Sequence, residues 1–395
     1  MNNANSNVVN HTAVSTVTSN TNHSNSGNTR GSNNGNRNHS NNRKNNNNAS
    51  RKHEKEIISK LSSVPFESLK SQIIDLSTDQ FGCRFLQKKL EDEGQAIGLI
   101  IFEETKDKII DLMMDPFGNY LVQKLLTHLN LLTHLNDKQL GAIVDKCIGR
   151  FPAIALNQHG TRALQEIIQL VKVDSQAKII VENLRGTVVS LIRDLNGNHV
   201  IAKILACFNH ENIQFIIDEI SVETVSIASH KHGCCVFQKS MDNANDTQLF
   251  QLGSKIAEHS MILMKNQFGN YVVQHLIEKD LPVLNNIIAE KLAGSLPDLS
   301  IQKYASNVVE KCLKYCSNLE LVNKLVIEII LCSNLMDIIK DSYGNYVVQT
   351  ALEVVNGDCK NKVIEILKPK LPYIRATPYS KKIEQSIDRS MGTIY

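Results

Sequence analysis

The chain of 395 residues has no tryptophan, only 8 prolines, and aromatic residues at 5%. Extended alternating patterns are scarce too, which weighs against strands and leaves few breakers to interrupt helices. No apolar run approaches the ~20 residues that a membrane helix needs. The longest strings, such as Ile97–Phe102, are short enough for core helix. No basic head followed by an apolar stretch opens the chain, so a signal peptide is not expected. The nine cysteines contain no CxxC pair; Cys312 and Cys316 stand one turn apart without His or Cys partners nearby, and Cys234 and Cys235 are adjacent. Such spacing argues against zinc and for reduced thiols in a cytosolic protein. The histidines lack a paired nucleophile or metal spacing, and acidic clusters such as Asp92-Glu93 and Glu103-Glu104 read as solvated faces. Neither an enzymatic activity nor a metal or other cofactor is therefore expected.

Acidic residues are missing altogether from residues 1–50, which carry Arg30, Arg37, Arg43 and Lys44. The whole chain has 43 Lys+Arg against 40 Asp+Glu, a formal net charge of +3, so this stretch of +4 leaves the remainder at about −1. A loose electrostatic binder of anions is thus a poor description of the remainder, and any basic surface must be segregated on one face. Residues 1–51 are dominated by Asn, Ser, Thr and Gly, cannot offset the entropy of ordering, and read as a disordered tail. Residues 52–395 form the folded domain in this reading. Their charged and aliphatic residues recur at helical spacing, as in Glu54-Lys55-Glu56-Ile57-Ile58-Ser59-Lys60-Leu61, and the class is all-α.

One seven-residue phrase recurs. Phe117-Gly118-Asn119-Tyr120-Leu121-Val122-Gln123 returns as Phe268-Gly269-Asn270-Tyr271-Val272-Val273-Gln274 and as Tyr343-Gly344-Asn345-Tyr346-Val347-Val348-Gln349. Looser copies end at Gln87, Gln165, Ala202, Gln238 and Glu310, and the steps between phrase ends are 36, 42, 37, 36, 36, 36 and 39. The step of 42 contains a local duplication, Thr127-His128-Leu129-Asn130 repeated as Thr133-His134-Leu135-Asn136. The step of 39 implies a small insertion between Lys311 and Asp341, a candidate docking loop. Each unit reads as an amphipathic helix, such as Leu252 to Met264, a turn, and the phrase helix. The phrase Gly permits positive φ or close backbone approach; Ala305 is the one departure. A unit of two or three helices cannot bury its apolar face alone, whereas stacked units form a solenoid with atypical ends. Residues 52–70 and 372–395 suit the ends.

On a helix, the third and seventh phrase residues share a face and the fourth flares to one side. The third and seventh pairs are Cys83/Gln87, Asn119/Gln123, Thr161/Gln165, Asn198/Ala202, Cys234/Gln238, Asn270/Gln274, Ser306/Glu310 and Asn345/Gln349. Amides at such positions suit hydrogen bonding to a base edge. The fourth residues are Arg84, Tyr120, Arg162, His199, Cys235, Tyr271, Asn307 and Tyr346, and six of the eight carry planar π systems that can stack on bases. A single such set is most simply core and caps; eight copies favour recognition. A protein-binding helical scaffold is the competing reading, and it requires no such recurring triplet.

The phrases NYxxQ, CRxxQ and SNxxE, in eight units of about 36 residues, resemble the Pumilio/PUF family of RNA-binding proteins over roughly residues 52–395. Segments 78–91, 115–125 and 230–239 further resemble a fungal subgroup that tolerates longer sites. The resemblance implies a right-handed, crescent-shaped solenoid in which each repeat reads one base and the RNA runs antiparallel. It implies that Asn345, Tyr346 and Gln349 read uracil at the 5′ end; Ser306, Asn307 and Glu310 read guanine; and Asn270, Tyr271 and Gln274 read uracil. Cys234 and Gln238 imply adenine, with Cys235 departing from the usual Arg. Asn198 and His199 suit uracil, but Ala202 removes the expected Gln and makes that position degenerate. Thr161, Arg162 and Gln165 imply adenine, Asn119, Tyr120 and Gln123 uracil, and Cys83, Arg84 and Gln87 adenine. The implied partner is single-stranded mRNA of the type 5′-UGUA-(N)-AUA-3′, with an extra base or two tolerated after UGUA. The family further implies repression or decay through 3′-untranslated regions with deadenylation and translation-repression factors, a monomer, and a cytoplasmic location. Lys88, Lys124, Lys203, Lys239 and Lys311 follow the seventh position and are expected to line one edge.

Overall fold

The structure is a computed structural model that describes residues 56–133, 137–374 and 379–390. The Asn-rich stretch read as disordered lies outside the described residues, as does part of the duplication after Thr127. Residues from Glu56 onward form one compact unit. Helices make up its regular structure, and no strand occurs among the described residues.

Each repeat has three helices rather than the two of the simplest reading. In the fifth these are Thr224–Ala228, the phrase helix Gly233–Asn243 and the outer helix Asp246–Glu258. Phrase helices pack on the next phrase helix and outer helices on the next outer helix, giving two parallel rows. The fifth and sixth phrase residues supply the seam: Leu121 and Val122, Val272 and Val273, and Val347 and Val348 are all buried. Single-turn spacing of aliphatics thus places the core without further instruction. At the ends, residues 56–62 are helical and a 3₁₀ turn spans Phe66–Gln72. The helix Ser380–Ser390 packs against phrase helix Gly344–Val354.

A side chain three residues before the phrase glycine caps every phrase helix. Asp115 Oδ1 accepts from the backbone N–H of Phe117 and Gly118 at 2.8 and 2.7 Å. Asp79, Asn157, Asp194, Asn266 and Asp341 do the same in their repeats. His230 replaces the carboxylate in the fifth repeat, its Nδ1 accepting from His232 and Gly233 at 3.3 Å. Burial, then the charges of His232 and Arg193, hold that imidazole below its ordinary pKa, which keeps the accepting nitrogen free. Close approach, not positive φ, explains the phrase glycine. A Cβ on Gly82 would lie 2.6 Å from the Leu76 carbonyl oxygen, and the left-handed glycines lie elsewhere. In the seventh repeat Ala305 stands with a longer cap, Gln302, whose Oε1 accepts from Tyr304 N at 2.9 Å.

Three expectations are corrected. The span Leu252–Met264 is not one helix: it breaks at His259 into Asp246–Glu258 and Ser260–Leu263. The chain turns there to begin the next repeat, as it does at Glu223, and Lys291 Nζ of that repeat donates to the carbonyl oxygens of Ala257 and Glu258, both at 2.8 Å, at the end of the outer helix. At other junctions the same location carries a carboxylate. Glu219 accepts from Gly186 N at 2.6 Å and Glu328 from Gly294 N at 2.9 Å, each beside a left-handed glycine. The insertion before the eighth repeat forms no projecting loop. The extra residues fall in the turns: phrase helix Ala305–Tyr315 and outer helix Leu319–Leu331 have the same 11 and 13 residues as Gly233–Asn243 and Asp246–Glu258 of the fifth repeat, while the connections 316–318 and 332–334 are longer by one and two residues than 244–245 and His259. The lysine edge is corrected below.

Candidate nucleic-acid interface

The third, fourth and seventh phrase residues occupy three distinct environments in all eight repeats. Cys83, Asn119, Thr161, Asn198, Cys234, Asn270, Ser306 and Asn345 are buried. Arg84, Tyr120, Arg162, His199, Cys235, Tyr271, Asn307 and Tyr346 are exposed, Tyr271 to 57%. Gln87, Gln123, Gln165, Gln238, Gln274, Glu310 and Gln349 are half-buried, as is Ala202. The exposed side chains leave flat faces in solvent while the half-buried ones show an edge.

Helix periodicity brings the third and seventh residues into contact, and hydrogen bonds fix their orientation. Asn119 Nδ2 donates to the carbonyl oxygens of Asp115 and Pro116 at 2.8 and 3.0 Å, and its Oδ1 accepts from Gln123 Nε2 at 3.0 Å. Asn345 and Gln349 repeat this geometry, and Gln274 Nε2 donates to Asn270 Oδ1 at 2.9 Å. With the asparagine committed to the turn, the glutamine Oε1 is the acceptor left to an incoming N–H. Two of the smaller third residues send their hydrogen to the neighbouring repeat, Cys83 Sγ to Phe117 O and Thr161 Oγ1 to Asn196 O, both at 3.1 Å, whereas Cys234 and Ser306 bond within their own turns, to Lys231 O and Lys303 O. Gln87 Nε2 donates to Cys83 Sγ at 3.1 Å, and Gln165 Nε2 to Thr161 O at 3.1 Å. Asn198 keeps the turn bonds, to Asp194 O and Leu195 O at 2.8 Å, but Ala202 offers it no partner.

Glu310 differs from the glutamines in charge and setting. Thr350 Oγ1 of the next repeat donates to its Oε2 at 3.2 Å. Burial raises its pKa, opposed by that hydrogen bond and by Lys314. Asn307 Nδ2 donates to Lys303 O at 3.3 Å, which lays its amide along the helix. Tyr346 is approached from the C-terminal helix: Lys382 Nζ lies 5.5 Å from its ring centroid. Nothing in the phrase could reveal that contact, since the last helix carries no copy of it.

One slot between repeats is enclosed enough to form a distinct cleft of about 350 Å³. Arg162 and His199, fourth residues of consecutive repeats, line it together with Thr161 and Gln165. A planar ring entering there would meet flat groups on both faces and polar groups at one edge.

Cys234 and Cys235 start the fifth phrase helix with their sulfurs 3.9 Å apart. The Cys234 thiol, and then the charge of Lys239, hold Cys235 below the ordinary thiol range, whereas burial pushes Cys147 up to about 12. Exposed and in the first helical turn, Cys235 has the surroundings of a reactive thiol. Iodoacetamide at pH 7 is expected to label Cys235 first, as read by peptide mass mapping. Faster labelling at Cys207, the other exposed cysteine, would contradict this.

The lysine edge is only partly as expected. Lys124 pairs with Glu91 and Lys311 with Glu278, each a residue of the preceding repeat. Lys203 Nζ donates to Gln169 Oε1 at 2.6 Å. These three hold repeats together rather than standing open, because the preceding phrase helix ends beside them. Among the described residues there is no group of three or more His, Cys, Asp or Glu placed to hold a metal ion, and no helix is long and apolar enough to cross a membrane.

Fold and site together define a helical-repeat protein that offers an extended, segmented ligand one slot per unit. Comparison with known proteins gives that class its family. The family model described as the Pumilio-family RNA binding repeat matches eight times, at residues 72–104, 108–134, 150–183, 188–221, 224–257, 261–292, 296–330 and 334–367. A Pumilio domain-containing protein of Schizosaccharomyces pombe is 35% identical over 329 residues, covering 83% of this chain and 47% of that protein. Putative pumilio homolog 8, chloroplastic, of Arabidopsis thaliana is 37% identical over 82% of this chain and 63% of its own length. The chain thus spans about half to two-thirds of these relatives. Among solved structures, the Puf4 RNA-binding domain bound to an HO endonuclease RNA 3′-UTR recognition sequence is 41% identical, with a TM-score of 0.69 over 79% of this chain and 97% of that one. The RNA-binding domain of yeast Puf5p bound to SMX2 RNA is 34% identical, with a TM-score of 0.75 over 84% and 100%. The chain belongs to the Pumilio (PUF) family of RNA-binding repeat proteins, and its fold is the all-α solenoid of eight such repeats with end helices.

Proposed function

We propose that this protein reads single-stranded RNA by sequence, binding elements of the form 5′-UGUA-(N)-AUA-3′ in mRNA 3′-untranslated regions. Binding lowers the output of those mRNAs by repressing translation, promoting decay, or both, with recruited deadenylation and translation-repression factors. The protein acts as a monomer in the cytoplasm, residues 52–395 being the reading domain and 1–51 a tail. The observation that carries this reading is the eightfold recurrence of one buried, one exposed and one half-buried side chain at the third, fourth and seventh phrase positions. A scaffold for proteins has no need of that recurrence. The RNAs bound by the Puf4 and Puf5p domains support it.

The chemistry assigns uracil to the three Asn/Gln repeats, since Gln Oε1 accepts from uracil N3–H. Glu310 supplies two acceptors for guanine N1–H and N2–H. Six stacks at roughly 1–3 kcal/mol give a gross of roughly 6–18 kcal/mol, to which the base-edge hydrogen bonds add. Immobilising the partners costs about 4–15 kcal/mol. Nanomolar binding, about −12 kcal/mol, is therefore within reach. Fluorescence anisotropy with UGUAUAUA and ACAAUAUA tests the reading; a strong preference for the first is expected, and equal affinities would refute it.

A further inference from the structure

The residue after the seventh phrase position lies one helical turn beyond the fourth, on the same face. Five repeats that have a predecessor carry a basic residue there, and in four of them it is bonded across the interface, in three to a carboxylate and in the fourth, Lys203, to Gln169. The partner is always the preceding repeat's residue four past its own seventh position: Glu91 for Lys124, Asp242 for His275 at 2.7 Å, Glu278 for Lys311. The fifth repeat breaks this rule. Its basic residue is Lys239, and the position that should hold the partner is Ala206. Among the described residues the Lys239 ammonium has no ion pair or hydrogen bond, only its backbone carbonyl accepting from Asn243, and the residue is exposed.

Two further facts bear on that lysine. Its charge reaches the stacking positions of two consecutive repeats: His199 is held below its ordinary pKa by burial and then by Lys239, and Cys235 is also lowered by it. Those repeats are also the weakest base readers, since Ala202 has no hydrogen-bonding group and Cys235 has no flat face. A nucleotide placed there gains little through its base, and its remaining handle is the phosphate.

We propose that Lys239 is a phosphate anchor for the RNA backbone at the middle of the array, and that Ala206 keeps it available by withholding the carboxylate found at three of the equivalent interfaces. The anchor rests on the RNA-reading function above. It allows the chain to hold RNA across its two weakest slots without specifying a base there, which suits a site whose fifth position is any nucleotide.

The test is the salt dependence of UGUAUAUA binding between 50 mM and 1 M monovalent salt, by anisotropy. Neutralising one phosphate contact on a single strand changes the slope of log K against log[salt] by about 0.7. Lys239→Ala should therefore flatten the slope by about 0.7 and weaken binding about fourfold at 0.15 M, converging with the parent protein near 1 M. Ala206→Glu, which installs the missing partner, should produce the same flattening, and the double variant no more than either alone. Lys239→Arg should retain the parent slope. Removing an existing pair, Lys124→Ala with Glu91→Ala, should leave it unchanged. An unaltered slope in Lys239→Ala overturns the anchor, and so does a loss that persists undiminished at 1 M, which marks a packing effect. If the parent protein fails to prefer UGUAUAUA over ACAAUAUA, the RNA reading itself falls with it; retained preference with an unaltered slope removes the anchor alone.

Discussion

Glu310→Gln is expected to reduce the preference for guanine over adenine at the second base of a UGUA site by about 1–3 kcal/mol, the worth of a two-hydrogen-bond base contact. The carboxylate presents two acceptors to the two donors of the guanine edge, and a charged acceptor strengthens both bonds. Glutamine keeps one acceptor and sets an N–H against the remaining donor. The surroundings add to the effect: Glu310 is half-buried, and Thr350 Oγ1 at 3.2 Å orients one oxygen. Competition between UGUAUAUA and UAUAUAUA measures the change, and an unaltered ratio would place guanine in a different repeat. The same residue gives binding a pH dependence. Its pKa in the free protein is raised by burial, so as pH falls it takes up a proton earlier than an ordinary carboxylate. Only the ionised form accepts twice, so guanine preference is complete above the raised value and declines as pH falls through it. Glu310→Gln should abolish that decline.

Gly233→Ala is expected to destabilise the fold by roughly 2–4 kcal/mol, at the upper end of overpacking effects. The added Cβ would stand 2.2 Å from the Ile227 carbonyl oxygen and 3.0 Å from its carbon. Both are backbone atoms and cannot rotate away. Relief requires the phrase helix to move outward, which loosens the 3.3 Å bond from Gly233 N to His230 Nδ1 and displaces Cys234 and Cys235. Urea unfolding reads the loss. Gly141→Ala is the internal comparison. That glycine also lies in a helix, but its Cβ would meet only the end of the Gln176 side chain at 3.2 Å. It should be neutral or gain up to about 1 kcal/mol from helix propensity. Equal effects of the two substitutions would show that close approach is not why the turn requires glycine.

These two residues mark how far one-dimensional reading extends. Glu310 stands out in sequence because it replaces glutamine at one position of an eightfold series. Its environment is invisible there, since Thr350 lies 40 residues away in the next repeat. Gly233 is likewise conspicuous by recurrence, yet recurrence left two explanations, positive φ and close approach. Only the position of the Ile227 carbonyl separates them. The break at His259 is a third case: local periodicity across Leu252–Met264 favours one helix, but the chain turns there into the next repeat, whose Lys291 bonds the carbonyl oxygens at the helix end.

The sequence by itself determined the all-helical class, the eight units and their register, and which face of each phrase helix enters the core. All follow from spacing within a single turn or a single period, and spacing is what a linear pattern encodes. The tertiary structure decided which polar groups remain available once neighbours are in place. It buries Asn119, Asn270 and Asn345 against their own turns and leaves the glutamine as the open edge. It pairs Lys124 and Lys311 across interfaces, and among the described residues it leaves the Lys239 ammonium unpaired, Ala206 standing at the register position of the missing partner. The physical reason is common to these cases. A hydrogen bond or ion pair between repeats depends on two residues some 33–40 positions apart, and whether either is free is a property of the pair.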